Sequence, residues 1–295
     1  MLATISPPET AVTCWCGQSS WTVSATGRGF KVLHCAACGS YKNDPPPVEP
    51  SDIKAHYDAY YVDRLATTKP LPNPATAKHS PFWIVADRFQ ELYKPGNRAI
   101  DLGCGNGHLC AELKARGWKW VAGVDVATPR VERARINYPD IPFYDCYLQD
   151  SDIEPGSLDL ISMDAVVEHF TDPVGAVKGI ANYLAPNGRV VMTTPNMDSG
   201  SFRFLKGRWT GMLCPHGHVF LYGKQAIANL VEAAGLIVDK VGSYPYAMSK
   251  PGEYWKRAMS GDVKGTVWRA HQDIGKAYGN MIGEGDALFV VARRP

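Results

Sequence analysis

From residue 98 onward, short apolar runs alternate with helix-compatible segments. Strand–helix alternation of this length buries its apolar faces best as a parallel sheet with helices on both sides. Near the end, "GLIVDKVGSYPY" and "ALFVVARR" are β-like with no convincing helix directly between them, and we expect them to pair antiparallel at one sheet edge. The predicted fold is therefore α/β, with a seven-stranded, mostly parallel sheet and an antiparallel C-terminal edge. The five earlier strands are predicted at Arg98–Leu102, Val121–Asp125, Pro142–Tyr147, Leu158–Met163 and Arg189–Thr194.

A glycine-rich turn joins the first of these strands to the following helix, in "AIDLGCGNGHL" at residues 99–109. Gly103, Gly105 and Gly107 allow a ligand to approach the backbone, since none carries a Cβ. The dinucleotide fingerprint needs a further glycine at the position of His108, and no Lys-Ser or Lys-Thr pair follows for a nucleoside triphosphate. The turn therefore favours a ligand without a pyrophosphate and disfavours nicotinamide redox chemistry.

Two carboxylates flank this turn. Asp125 ends the next strand, where a carboxylate can accept both hydroxyls of a ribose. Asp101 precedes the glycines and can hold an ammonium group, directly or through the backbone of the turn. S-adenosylmethionine combines a ribose with an amino acid and has no phosphate, so it is the predicted ligand.

The chain resembles the class I S-adenosylmethionine-dependent methyltransferases over residues 82–240. The resemblance rests on "AIDLGCGNGHL", "GVDV", "LDLISMDAVVEHFTDP", "LAPNGRVVMTTPN" and "HVFLYGKQAIANLVEAAGL", in the order of the family. It implies a Rossmann-like methyltransferase sheet, with the glycine turn against the methionine portion and Asp150, rather than Gln149 or Ser151, on the adenine side. The cofactor-binding residues that we expect are Asp101, Gly103, Gly105, Gly107, Asp125, Val126, Asp150 and Asp164.

The N-terminal segment carries two cysteine pairs, Cys14 with Cys16 and Cys35 with Cys38. The second pair has the usual two-residue gap of a zinc knuckle, whereas the first has one residue between its members. A module this small cannot bury enough surface to fold unaided, so four thiolates on a structural Zn²⁺ are predicted; reduced, idle thiols are the alternative. Residues 1–45 are therefore assigned to a small zinc-ribbon-like module.

Residues 46–80 are assigned to a linker and a tyrosine-rich helix, and residues 81–295 to the methyltransferase domain. Consecutive prolines in "NDPPPVEP" favour an extended linker. The helix that follows carries Tyr57, Tyr60 and Tyr61, which either pack against the main domain or form a lid over a ligand. Knuckles followed by such a helix resemble a subgroup of bacterial methyltransferases that act on sugars and secondary metabolites.

Composition limits the range of partners. The formal net charge is +2, from 31 basic and 29 acidic residues, which does not support a broad nucleic-acid surface. No apolar run approaches the length of a membrane span, and the N-terminus lacks the pattern of a signal peptide. We therefore expect a cytoplasmic protein with a small-molecule acceptor; a homodimer is compatible with the sequence.

Transfer of a methyl group from a sulfonium needs an aligned acceptor, and a hydroxyl acceptor benefits from a base. His218 is the expected base, because it matches a histidine of the zinc-headed sugar methyltransferases. Their neighbouring acid is replaced by Gly217, which favours O-methylation over C-methylation. The other candidate catalytic residues are His169, expected first to close the turn after the fourth strand, and Glu168, expected to line the pocket. Candidate acceptor contacts are Tyr57, Tyr61, Arg203, His216 and Tyr222.

Three other functions stay open at this point. A zinc-headed rRNA or tRNA methyltransferase is disfavoured, because "MDAV" stands where base-amine methyltransferases carry an Asn- or Asp-Pro-Pro-aromatic motif. A deoxysugar C-methyltransferase differs from the O-methyltransferase only in its acceptor atom. A module that binds the cofactor without transferring methyl would keep the same glycine turn.

Overall fold

The structure, a computed structural model, describes residues 13–27, 30–44, 54–55, 57–59, 96–209, 211, 217–245, 248–249 and 251–295. Its larger sheet has seven strands in the order β10-β11-β8-β7-β4-β5-β6. The strands are β4 Arg98–Leu102, β5 Trp120–Asp125, β6 Phe143–Asp145, β7 Leu158–Asp164, β8 Leu184–Pro195, β10 Ile237–Tyr244 and β11 Ala287–Arg293. The predicted strand series is confirmed, with shifts of a few residues at some ends.

Strands β4 to β8 run parallel to one another, and β11 is antiparallel to both β8 and β10. The predicted antiparallel C-terminal edge is therefore confirmed. Connections between parallel strands need crossovers, which the helices provide. The helices are α1 His108–Ala115, α2 Thr128–Asn137, α3 Pro173–Ala181, α4 Gly200–Leu205, α5 Lys224–Ala233, α6 Pro251–Met259 and α7 Val263–Met281.

The absence of a helix between the last two strands was a wrong expectation, since α6 and α7 lie there. The composition of α7 explains the error, because Gly265, Gly275 and Gly279 lower its helix propensity. Its buried positions also include Gln272 and Asp273, so polar residues lie where a helix that packs against a core usually has apolar ones.

The N-terminal cysteine-bearing head, residues 13–27 and 30–44, forms a second sheet. Its strands are β1 Thr22–Gly27, β2 Phe30–His34 and β3 Tyr41–Asp44, and a short strand from the main domain, β9 Phe220–Leu221, completes it in the order β1-β2-β3-β9. Cys14, Cys35 and Cys38 lie in the same buried cluster as Phe220 and core residues of the large sheet. The head is therefore docked against the main domain by strand pairing and by a shared core.

Several expectations concern residues outside the described ranges, including the prolines of the linker, Tyr60, Tyr61 and His216. Among the described residues, 54–55 and 57–59 are helical, as predicted for the tyrosine-rich segment. The described helices include none that is both long and apolar enough to cross a membrane.

Candidate functional site

The glycine turn leaves β4 at the carboxyl edge of the sheet. The amides of Gly103 and Cys104 both donate to the carbonyl of Val124, at 2.7 and 3.1 Å. Gly103 has a φ of +77°, and a Cβ on it would lie 2.4 Å from Cγ2 of Val166. Both the left-handed conformation and the missing side chain are therefore required here, because the side chain of Val166 packs directly against Gly103.

Asp125 lies beside this turn at the end of β5. Its Oδ2 accepts a hydrogen bond from the amide of Gly105, and its Oδ1 accepts one from the amide of Ala127, both at 2.8 Å. Burial raises the pKa of this carboxyl, while the two amides oppose the shift. Each carboxylate oxygen keeps a second lone pair, so both can accept from ribose hydroxyls.

Two further acids lie at the same edge. Asp101 is buried, accepts from Oγ of Ser162 at 2.8 Å, and has a pKa well above its usual value because of burial and the nearby charges of Asp164 and Asp125. Asp164 ends β7 and accepts from the hydroxyl of Thr193; burial raises its pKa as well. A cluster of buried carboxyls favours a cationic ligand, as the ammonium and sulfonium groups of S-adenosylmethionine would be.

A tight turn follows β7. Ala165 adopts a left-handed conformation with a φ of +56°, which is uncommon for a residue other than glycine. A single 3₁₀ turn, Val167–His169, comes next. This geometry sends Glu168 into the core and leaves His169 partly buried beside it.

Glu168 is fully buried. Its Oε2 accepts from the hydroxyl of Thr194 at 3.0 Å, whereas its Oε1 has no hydrogen-bond partner among the described residues and lies 3.9 Å from Nε2 of His218. Burial, with a contribution from the charge of Asp164, raises the pKa of Glu168 to about 8. The carboxyl is therefore protonated at neutral pH and can change its charge just above it.

His218 faces Glu168 from the segment after α4. Burial first, and then the proximity of His169, lower the pKa of His218 to about 3, so that its imidazole is neutral at physiological pH. The two histidine rings are 5.0 Å apart between centroids. The ligand atoms of Glu168, His169 and His218 lie within 4.8 Å of one another, so they can serve as an acid–base group or reach one cation.

His169 Nδ1 lies 2.7 Å from the hydroxyl of Tyr57 and 2.7 Å from the carbonyl of Gly217. It thus ties the turn after β7 both to the segment that carries His218 and to the tyrosine-rich helix. This arrangement supports the structural part expected of His169.

The helical residues 54–55 and 57–59 cross the carboxyl edge of the sheet. Lys54 Nζ donates to the carbonyl of Val126 at 2.6 Å and to Asp145 at 3.2 Å, and Asp58 accepts from the amide of Thr128 at 2.9 Å. Tyr57 contacts His169 from the same segment, on the acceptor side. The segment therefore covers both the expected ribose position and the Glu168–His218 pair, as a lid would.

The remaining predicted site residues lie in different settings. Asp150 is exposed at the end of a 3₁₀ turn after β6, and Arg203 is exposed on α4. Tyr222 is fully buried, its hydroxyl has no hydrogen-bond partner in the described part of the chain, and the charges of Glu168, Cys14 and Cys38 all act on it. Tyr222 therefore lies between the cysteine cluster and the Glu168–His218 pair.

Several residues that shape this site were not predicted from the sequence. The hydroxyls of Thr193 and Thr194 donate to the carboxyls of Asp164 and Glu168, respectively, and orient them. Their signal was the polar pair at the end of the otherwise apolar strand in "RVVMTTPN". In the sequence, Lys54 is only one charged residue of the tyrosine-rich helix. The sequence around Asn43 does not indicate a role in the site.

The four cysteines of the head converge. Their Sγ atoms all lie within 4.8 Å of one another, with 3.5 Å between Cys14 and Cys38 and 3.7 Å between Cys16 and Cys35. Tetrahedral Zn–S bonds of about 2.3 Å place the sulfurs about 3.8 Å apart, whereas a disulfide needs about 2.05 Å. The donor set therefore fits a tetrahedral thiolate site.

Comparison with known proteins places this geometry in a family. A family model described as a methyltransferase domain matches residues 61–241, more than half of the chain. The ubiquinone biosynthesis O-methyltransferase of Neisseria meningitidis serogroup C is 34% identical over 116 residues, which cover 37% of this chain and 49% of the relative. The protein of the same name from Aeromonas salmonicida is 27% identical over 175 residues, covering 56% and 72%. The chain thus spans about half the length of the Neisseria relative.

Solved structures agree on the fold. The 1,6-didemethyltoxoflavin-N1-methyltransferase of Burkholderia thailandensis, with bound 1,6-didemethyltoxoflavin and S-adenosylhomocysteine, is 13% identical with a TM-score of 0.56, covering 92% of this chain and 98% of that one. The cyclase SpnF is 15% identical with a TM-score of 0.53, covering 85% and 98%. Because a cyclase shares the fold, the fold alone does not fix the reaction. The family match and the sheet order together establish that the chain belongs to the methyltransferase-domain family, with the fold of the class I S-adenosylmethionine-dependent methyltransferases.

Proposed function

We propose that this protein transfers a methyl group from S-adenosylmethionine to a hydroxyl oxygen of a small molecule. The buried Glu168–His218 pair carries the proposal, because it lies at the carboxyl edge of the sheet together with the glycine turn and Asp125. An acid–base pair beside a donor site is the arrangement that a hydroxyl acceptor requires.

The donor half of the site rests on three features. Gly103 lets the turn pack closely against Val166 at the end of β4, Asp125 offers two oxygens to ribose hydroxyls, and the buried acids favour a cation. When bound, S-adenosylmethionine supplies an activated methyl group on a sulfonium. Asp150 and Val126 complete the proposed donor site on the adenine and ribose sides.

His218 is the proposed base. Burial keeps its imidazole neutral, so a nitrogen lone pair is available to an acceptor hydroxyl. The same burial makes the imidazolium unfavourable unless a negative charge faces it. Glu168, 3.9 Å away, supplies that charge once it is ionised, and so we assign Glu168 to stabilise the proton that His218 accepts.

The acceptor is proposed to be a sugar, a nucleotide sugar or a secondary metabolite. Relatives named ubiquinone biosynthesis O-methyltransferase support oxygen of a small molecule as the acceptor atom. Arg203, exposed on α4, would suit an acidic acceptor, and Tyr57 offers an aromatic ring beside His169. If the enzyme instead methylates a carbon of a deoxysugar, or rRNA or tRNA, the proposed acceptor is wrong.

A structural zinc ion in the head is the second part of the proposal. Cys14, Cys16, Cys35 and Cys38 would hold it, since their sulfurs converge at tetrahedral spacing. Such an ion would stabilise a head whose own core is too small to fold alone.

The test is incubation of the purified protein with S-adenosylmethionine and a panel of nucleotide sugars, phenolic metabolites and total RNA, followed by mass spectrometry. We expect a gain of one CH₂ unit on the oxygen of a small molecule, lost in His218→Ala. Arg133→Ala, on a partly exposed stretch of α2 away from this pair, is the matched control and should keep the activity. Added Mn²⁺ should leave turnover unchanged; a gain in turnover that is lost in His169→Ala would instead assign Glu168, His169 and His218 to a cation site.

A further inference from the structure

The strand that follows His218 belongs to the sheet of the head. Within the described residues, β9 pairs with β3, through Tyr41 opposite Leu221 and Lys42 opposite Phe220. The segment that carries the proposed base is therefore aligned by a strand from the cysteine-bearing head, far away in the sequence.

Asn43 follows Lys42 on β3 and reaches the proposed base directly. Its side chain is 1% exposed, and its Nδ2 donates to the backbone carbonyl of His218 at 3.5 Å. The opposite amide orientation would set two oxygens against each other, so the donor assignment follows from polarity. Asn43 Oδ1 is buried and finds no hydrogen-bond partner among the residues that the structure describes. Because an unsatisfied buried amide oxygen costs stability, an apolar side chain would serve the core better at this position.

A second bond holds the other end of the same peptide group. The amide of Val219 donates to the backbone carbonyl of Glu168 at 2.7 Å. The carbonyl of His218 and the amide of Val219 belong to one planar peptide unit, so bonds at both ends fix its orientation. The direction of the His218 side chain toward Glu168 is thus set by Asn43 on one side and by the Glu168 turn on the other.

The head is anchored firmly enough to act as a support. Cys14, Cys35 and Cys38 pack in one buried cluster with Phe220, and Nδ2 of Asn229 on α5 donates to the carbonyl of Cys38 at 3.3 Å. Any displacement of β3 would therefore disturb the main-domain core as well.

We propose that Asn43 is a positioning residue for His218 and that the cysteine-bearing head holds it in register through β3. The head is then a working part of the acceptor site. The proposal rests on the proposed function only in calling His218 the base; the positioning itself is independent of it.

The test compares Asn43→Leu with Tyr41→Phe. Leucine is close to asparagine in volume but has no donor, whereas Tyr41→Phe alters a residue on the same strand and leaves both hydrogen bonds of the His218–Val219 peptide in place. We expect Asn43→Leu to lower kcat about tenfold or more, with the Kd for S-adenosylmethionine and the unfolding temperature nearly unchanged. Tyr41→Phe should keep the wild-type kcat. A parallel loss of kcat, cofactor affinity and unfolding temperature in Asn43→Leu would overturn the proposal in favour of a purely structural role.

The NMR signal of the His218 imidazole, which does not depend on turnover, separates the two proposals. The imidazole resonance of His218, identified by its absence in His218→Ala, should shift in Asn43→Leu and in Asn43→Ala but not in Tyr41→Phe. A resonance that stays in place in both Asn43 variants would overturn the positioning role. A shifted resonance in a protein whose wild type methylates none of the acceptors would support positioning and count against the proposed function alone.

Discussion

Oε1 of Glu168 lies 3.9 Å from Nε2 of His218, both side chains are buried, and this oxygen has no hydrogen-bond partner within the described ranges. Two titratable groups in this setting respond in opposite directions, because burial raises the pKa of the carboxyl to about 8 and lowers that of the imidazole to about 3. Each group is thus neutral at pH 7, and a change in the charge of one alters the basicity of the other.

The pH dependence of catalysis should report this pair. If the Glu168 carboxylate stabilises the proton on His218, kcat/KM rises with pH through about 8 as Glu168 ionises. Asp164, His169 and Thr194 also lie close to Glu168, and the Glu168→Gln variant keeps all three of these residues. That variant should lose the rising limb and most of the activity. A pH profile that is identical in Glu168→Gln and wild type would exclude Glu168 from the acid–base step.

The same pKa shift predicts an effect on stability. A carboxyl with a raised pKa keeps its proton in the folded state at pH values where the unfolded chain has released it. The unfolded state then binds fewer protons, so the contribution of Glu168 makes the free energy of unfolding fall as pH rises from about 4.5 to about 8. His218, whose pKa is lowered to about 3, acts in the opposite direction below about pH 6.5. Urea unfolding between about pH 6.5 and 8 should therefore show the fall in wild type and a smaller fall in Glu168→Gln. Equal slopes in the two proteins would contradict the assigned pKa.

Binding of S-adenosylmethionine should depend on Asp125. Asp125→Asn keeps the shape of the side chain but replaces one charged acceptor oxygen with a donor, which faces a backbone amide of the turn and can no longer accept from a ribose hydroxyl. We expect the Kd measured by calorimetry to rise at least about tenfold, as for the loss of a charge-assisted bond. Asp140→Asn, an exposed carboxylate before β6, is the control and should bind normally. Normal affinity in Asp125→Asn would remove Asp125 from the donor site.

Substitutions at two glycines with left-handed backbones distinguish the effect of backbone strain from that of a steric clash. Gly117 has a φ of +101° and a Cβ there would meet no described atom within 4 Å, whereas a Cβ at Gly103 would lie 2.4 Å from Val166. Gly117→Ala should cost about 1 kcal/mol of unfolding free energy and leave cofactor affinity intact. Gly103→Ala should cost more and should also weaken binding of S-adenosylmethionine. Equal effects of the two substitutions would argue against a specific function for the glycine turn.

The cysteine cluster should contain one zinc ion per chain, measured by inductively coupled plasma mass spectrometry. Cys35→Ser removes one of four converging thiolates, so we expect loss of most of the zinc and a lower unfolding temperature. Cys146→Ser, a free cysteine outside the cluster, is the matched control. If the wild-type protein carries no zinc and unfolds at the same temperature as Cys35→Ser, the four thiols do not bind a metal.

The sequence predicted the parts of this protein that local patterns control. The strands from Arg98 to Thr194 alternate with amphipathic segments, and the glycines and Asp125 sit at fixed spacing in the turn. The α7 helix was missed because three glycines lower its helix propensity and polar residues such as Gln272 lie on its buried face. The contact between Asn43 and His218 joins residues 175 positions apart, so only the three-dimensional arrangement reveals it.

Methylation of a small-molecule oxygen at the Glu168–His218 site can be followed by tracing the methyl group itself. The protein would be incubated with S-adenosylmethionine carrying a deuterated methyl group and the acceptor panel, and the labelled atom would be located by tandem mass spectrometry. We predict the label on a hydroxyl oxygen of a small molecule in wild type, and a strongly reduced yield in His218→Ala with cofactor affinity retained. Label on RNA or on carbon, or an equal yield from His218→Ala, would rule out O-methylation of a small molecule with His218 as the base.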